Sequence, residues 1–256
     1  MGNPDLLRTP STVCTPDSRS PKLSFLTHQP LTVEYQHEAV VEIVLHQNVP
    51  ENIRIQFETT KNLYLYAWFV FRFYPVAELH AYTCLEFALR MRFGDELIKA
   101  KIEDLESKVN KLEASGKSSS SRIRKQLKKI KEREFGPGLS ELLIYVVEGG
   151  FLKDENFSIW QQRTVARAKR RTGDEIWEEA QRNQLNEISY DENQYEIKEV
   201  DRDHKYLETI FKTIPWLRNH YAHGTHSLNN QVLSTLSLVA EIINQIYPEK
   251  PLMEQY

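Results

Sequence analysis

Two cysteines in 256 residues, Cys14 and Cys84, are too few and too far apart for a disulfide framework, and they fit a reducing compartment. No apolar run reaches the ~18 residues that a membrane-crossing helix needs. The nearest, Leu63 to Ala81, is interrupted by Arg72, Pro75, Glu78 and His80. Neither sign of charge dominates. The formal net charge of −3 carries no global nucleic-acid signal, so any RNA-facing surface must come from local clustering. The N-terminus has no basic-then-apolar signal layout, and a soluble, cytoplasmic protein without membrane contact is expected. Gly116-Lys117-Ser118 lacks both the upstream glycine and the preceding strand of a phosphate loop. No internal repeat of roughly 20–50 residues stands out.

What is present is helical patterning. Apolar content of 40% with 27% charge is ordinary globular composition, enough for one large domain or a domain with an insertion. Residues 1–30 hold five of the eleven prolines among many Ser and Thr, without an apolar period, and are expected to form a disordered or extended arm. An all-α domain is expected over 31–256. Val33, Val40, Val41, Val44 and Leu45 give a first apolar face that Pro50 closes. A very apolar helix is expected from Asn52 to Tyr74, and a third from Pro75 through Met91. Glu86 and Arg90 on that third helix stand i,i+4, either as a surface ion pair or facing an active site.

Charge then becomes segmental. Leu97, Ile98, Ile102, Leu105, Val109 and Leu112 form a coiled-coil-like seam, and a Ser-rich turn follows. Between Lys117 and Glu134 eight basic residues face two acidic ones. Residues 95–134 are thus expected to be a charged helical hairpin insertion. Its Arg122, Arg124, Lys125, Lys128 and Lys129 suit an RNA backbone, a protein partner or simply solvent. Gly136-Pro137-Gly138 is a break before a buried helix that Gly149-Gly150 ends. The next helix carries Arg163, Arg167 and Arg170, further candidates for RNA, and Gly173 is expected to stop it. Residues 174–203 invert the sign with eleven acids, an exposed helical or partly irregular linker. A short apolar helix leads to Pro215, and the last helix spans Leu228 to Tyr247.

One stretch concentrates chemistry: Leu217-Arg218-Asn219-His220-Tyr221-Ala222-His223-Gly224. In a helix, Asn219 and His223 share a face at i,i+4, whereas Arg218 and His223 are about 500° apart and sit on flanks of one helix end. Gly224 is suited to terminate that helix in the left-handed conformation. His220-x2-His223-x2-His226 has a spacing that a metal can use, but Gly224 would end the helix before His226 and no carboxylate is near in sequence. No metal or other cofactor is expected.

The pattern Arg218-Asn219…His223, after the apolar turn Ile214-Pro215-Trp216-Leu217 and before a long apolar helix, resembles the signature of the HEPN superfamily. The resemblance extends over roughly residues 31–250, and only the motif is specific. It implies an HEPN-like helical bundle acting as a metal-independent endoribonuclease, a toxin or anti-phage effector. The product implied carries a 2′,3′-cyclic phosphate and a 5′-hydroxyl. It also implies a homodimer with a composite cleft, and a possible antitoxin or sensor partner. His223 would transfer protons, Arg218 would stabilise charge on the phosphate, and Asn219 would orient them. Imidazole titrates near neutrality, and guanidinium grips phosphate without ever deprotonating. His220, Tyr221 and His226 would line or support the cleft. Two other readings remain open: a catalytically silent HEPN-like module that binds RNA, nucleotide or protein, and a helical assembly scaffold. The motif itself also has a plain structural reading, in which Arg218-Asn219 cap helix ends and His223-Gly224 is an ordinary C-terminal helix stop.

Overall fold

The structure, a computed structural model, describes residues 4–23, 32–114, 121–131, 136–185, 187–191, 193–224 and 231–249, and every regular element among them is helical. Besides short 3-10 turns at Ser20–Leu23 and Asp154–Asn156, the α-helices are, in order, α1 (Val33–Val41), α2 (Glu51–Tyr66), α3 (Phe73–Ala114), α4 (Ser121–Lys131), α5 (Leu139–Glu148), α6 (Ser158–Arg182), α7 (Glu199–Arg202), α8 (Tyr206–Ala222) and α9 (Val232–Ile246). The all-α expectation holds. Among the described residues, no helix is long and apolar enough to cross a membrane. The chain divides into two compact units, Met1–Phe151 with Phe211–Tyr256, and Leu152–Ile210.

The larger unit is built on α3, 42 residues and about 63 Å long at 1.5 Å per residue. Its first half carries Ala77, Ala81 and Ala88, fully buried, whose small side chains let α2 and α9 approach closely. Into the same core α9 sends Val232, Leu236, Val239 and Ile243, one stripe of an amphipathic helix. Each such residue, fully buried, stabilises the unit by roughly 1.5–3 kcal/mol. The buried Glu78 of α3 accepts a hydrogen bond from Thr235 Oγ1 at 3.0 Å. Farther along, α3 packs against α4 and α5, and Phe93 meets Phe151 at 4.7 Å between ring centroids.

Two sequence expectations fail near the start of α3. The helix expected over 52–74 stops at Tyr66, and α3 begins at Phe73 instead of Pro75 and runs on without a break to Ala114. Pro75 lies in its first turn, where the missing N–H costs nothing. The intervening backbone is captured by the N-terminal segment, which is not an extended arm where it is described. Trp68 O accepts from Asp17 N at 3.0 Å and from Ser20 Oγ at 2.9 Å. Phe71 N donates to Asp17 Oδ2 at 3.3 Å. Arg8 donates to Phe69 O, and Asp5 bridges Arg19 and Arg72. These bonds satisfy polar groups that a continued helix would have paired internally. Residues 24–31 lie outside the described residues.

The smaller unit folds around α6. Contrary to expectation, α6 passes through Gly173 without stopping. A Cβ there would lie 3.1 Å from Tyr190 Oη, so the glycine makes room for Tyr190 against the helix. Arg171 ties the acidic segment back, pairing with Asp201 at 2.9 Å and Glu175 at 3.0 Å and donating to Glu196 O at 2.6 Å. The acidic stretch is, as expected, partly helical, to Arg182 and over Glu199–Arg202, and partly irregular. Trp160 Nε1 donates to His204 O at 3.1 Å, and Phe157 and Tyr206 meet edge to face.

Candidate functional site

The motif lies on the C-terminal end of α8, and the helix runs through Pro215 where an apolar turn was expected. Proline cannot donate to Phe211 O, so one intrahelical bond is absent there. The last turn closes through His223 N to Asn219 O at 3.0 Å. Gly224 then takes φ +85°, the left-handed stop that its position foreshadowed. Ile214 and Tyr221 point into the core, which fixes the rotation of α8 and turns Arg218 toward α3. Tyr221 is thus a packing residue.

Arg218 and Asn219 share an open pocket of about 190 Å³ with Glu86 of α3, Pro215, and the first residues of α5, Gly138 to Ser140. Arg218 Nη2 donates to Glu86 Oε2 at 3.0 Å, and Arg218 Nη1 to Asn219 Oδ1 at 3.2 Å. The other oxygen, Glu86 Oε1, accepts from Arg90 Nη2 at 2.6 Å, and Arg90 also donates to Pro137 O at 3.3 Å. Glu86 is therefore clamped between two guanidinium groups, and the trio carries one net positive charge. Among the described residues Arg218 Nε is buried without an acceptor, a donor held out of water at some cost. Gly138, which opens α5, has no capping side chain; its own N–H donates to Glu141 Oε2 at 3.4 Å, and the other N–H groups of that first turn lie beside the pocket. A pocket this size is below the ~300 Å³ at which drug-sized ligands begin to fit, and its chemistry suits a phosphate-sized anion.

Of the residues singled out in the sequence, Arg218, Asn219 and Glu86 come together, with Arg90 behind them. His223 does not line the pocket. It stands exposed one turn beyond Asn219 at the helix end. His220 stacks on Trp216, their rings 5.3 Å apart and 10° from parallel. His226 lies outside the described residues. Arg122, Arg124, Lys125, Lys128 and Lys129 are exposed on α4. Arg163, Arg167 and Arg170 belong to the smaller unit, where Arg167 donates to Asp203 O at 2.7 Å and Arg163 lies over the Tyr206 ring. Among the described residues no group of three or more His, Cys, Asp or Glu side chains is placed to hold a metal ion.

Sequence reasoning missed Trp216 and the start of α5. Trp216 was legible through spacing: Trp216, Asn219, His220 and His223 stand at i, i+3, i+4 and i+7, one stripe of a helix. The α5 contribution had no sequence signal, since backbone N–H groups from any residue would serve. No family model matches the chain, nor does any curated protein or solved structure.

Proposed function

We propose that the chain is a metal-independent endoribonuclease of HEPN type. The observation that carries this reading is the seating of Arg218 and Asn219 in one phosphate-sized pocket, on a helix whose next turn presents His223. In this mechanism the scissile phosphate binds at Arg218 and Asn219. An imidazole takes the proton of the 2′-hydroxyl, the 2′-oxygen attacks phosphorus, and the bond to the 5′-oxygen breaks as that oxygen is protonated. The products are a 2′,3′-cyclic phosphate and a 5′-hydroxyl. Arg218 meets the extra negative charge of the phosphorane, and His223 handles a proton. Glu86 holds the guanidinium in place. A second copy of the chain is the partner that would supply the other imidazole. The hairpin of α3 and α4, an insertion in a HEPN-like bundle, offers its basic face to RNA backbone or to a regulatory protein.

The test is cleavage of mixed cellular RNA in excess EDTA by the wild type and by His223→Ala. Cleavage that resists EDTA, leaves cyclic phosphate ends and falls by on the order of 10²–10³ in the variant supports the reading. Activity that survives in His223→Ala refutes the assignment. A toxin or anti-phage role adds that wild type, and not His223→Ala, arrests growth when expressed in a bacterial host. Two observations favour a second reading, a silent RNA-binding module: His223 stands outside the pocket, and Glu86 already occupies Arg218. A wild type that binds RNA and never cleaves it selects that alternative.

A further inference from the structure

The smaller unit holds a cavity that the cleavage chemistry does not use. It is open, about 430 Å³ in volume, and lies between one side of α6 and the segment 187–191 that returns across it. That volume falls within the roughly 300–1,000 Å³ of small-molecule sites. Its apolar walls are Ile176 and Trp177 of α6 with Ile188 and Tyr190 of the returning segment. Trp177 is 55% exposed and Tyr190 47%, so two large rings keep a wet face on one cavity.

The charge lies at the other end. Lys169 and Arg170 line the cavity two turns before Ile176 and Trp177, about 10 Å along the helix at 1.5 Å per residue. Lys169 Nζ donates to Asn193 Oδ1 at 3.4 Å, and an ammonium has three donors. Asp174, the one acid in the lining, meets Arg170 Nε at 3.9 Å, an exposed pair that contributes little and leaves the outer fork of the guanidinium to another acceptor. Gly173 sits midway. A Cβ there would lie 3.1 Å from Tyr190 Oη, so the bare glycine seats Tyr190 on the helix. Arg171 fixes the chain beyond Tyr190 by donating to Glu196 O and pairing with Asp201. The cavity is therefore built before any ligand arrives, which lowers the entropy lost on binding.

We propose that this cavity binds a small aromatic anion, a flat body of one or two fused rings carrying one anionic group. The rings lie between Tyr190 and Trp177, and the anion meets Arg170 and Lys169. An organic cation would be repelled by those two side chains. A carboxylate and a phosphate suit them equally. The site belongs to the smaller unit and does not rest on the ribonuclease reading.

The full chain, labelled with nitrogen-15, has four tryptophans and so four indole N–H signals, and Trp177→Phe identifies one of them by its loss. The probes are 2-naphthoate and 2-naphthyl phosphate. The controls are 2-naphthylmethanol, a ring without charge, and cyclohexanecarboxylate, a charge without an aromatic face. Both probes should move the Trp177 signal saturably and leave that of Trp216 in place, and the tighter of the two identifies the anionic group. Affinity should fall roughly 10-fold for either control, and by a similar factor for 2-naphthoate in Arg170→Gln, the loss of one charge-assisted contact. Arg170 is 86% exposed, so this variant keeps the fold. No saturable shift at Trp177 overturns the proposal, as does an affinity for 2-naphthylmethanol equal to that for 2-naphthoate, or an unchanged affinity in Arg170→Gln. Equal shifts at Trp177 and Trp216 also overturn it, because the probe would then adsorb to any exposed ring. So does a fall in sedimenting mass in Trp177→Ala, since a second copy of the chain would then cover the cavity.

Discussion

Arg218 and Glu86, 132 positions apart, pair at 3.0 Å, and Glu86 holds Arg90 with its second oxygen. One carboxylate thus sets the position of the guanidinium proposed to meet the phosphate. Glu86→Gln keeps the shape and removes the charge, leaving two cations that share a neutral amide. Fold stability should fall by about 1–2 kcal/mol, less than the ~3–5 of a fully buried pair, because Arg90 and Arg218 are 48% and 35% exposed. RNA cleavage should fall at least 10-fold at saturating substrate, about 1.4 kcal/mol of transition-state stabilisation. Urea denaturation beside single-turnover cleavage checks both, and an activity equal to wild type would remove Glu86 from the site.

Asp17 should anchor the N-terminal segment. Burial pushes its carboxyl up, but hydrogen bonds from the Arg19 side chain and from the backbone N–H groups of Arg19 and Phe71 outweigh that and hold it below the usual carboxylate value. A carboxyl lowered in the folded state contributes stability above its unfolded pKa and loses it as pH falls through the folded one. Asp17→Asn should therefore destabilise the protein at neutral pH, with a gap from wild type that narrows below about pH 4. Denaturation midpoints across that range decide it. A gap independent of pH would mean that packing, and not charge, does the anchoring.

Much of this architecture was legible because it rests on periodicity. The α9 stripe, the Gly149-Gly150 stop after α5 and the left-handed Gly224 all follow from side-chain spacing and from glycine's tolerance of positive φ. What escaped was set by partners distant in sequence. No local signal ends α2 at Tyr66, since the turn is held by Asp17 and Ser20, some fifty residues earlier. Gly173 reads as a breaker until Tyr190 is seen against it. Within the site, Arg218 and Asn219 were found by type and spacing. The choice between Glu86 as a surface pair and Glu86 as a pocket wall required the rotation of α8 against α3.

Gly173 offers a test in the opposite direction. It sits inside α6, where glycine costs roughly 0.8–1 kcal/mol relative to alanine. The atom that a Cβ would meet is Tyr190 Oη, the far end of a side chain that is 47% exposed and able to shift by tenths of an ångström. Gly173→Ala should stabilise the smaller unit by about 0.5 kcal/mol, most of the helix-propensity gain less a small displacement cost. Hydrogen exchange along α6 would register this as slower opening. Faster exchange would show that Tyr190 is held rigidly and that its place against the helix matters more than propensity.

His204 gives the smaller unit a pH dependence of definite sign. Its ring accepts or donates at Thr164 Oγ1 over 3.0 Å and lies 5.0 Å from the Trp160 ring. Burial lowers its pKa, and the charges of Arg167 and Arg163 lower it further, against smaller opposing contributions from Asp154 and Asp203. A histidine lowered in the folded state favours the neutral ring. The stability it contributes is present above the unfolded value near pH 6.5 and is lost as pH falls through the folded one. Wild type should therefore open the 152–210 region more readily at about pH 5.5 than at about pH 7.5, and His204→Gln should flatten that difference. Amide exchange of α6 at the two pH values reads the unit by itself, separately from His80, whose pKa burial also lowers in the larger unit. If the pH dependence of α6 persists in His204→Gln, the proton is taken up elsewhere, and the packing of His204 on Trp160 is structural without being a pH-sensitive element.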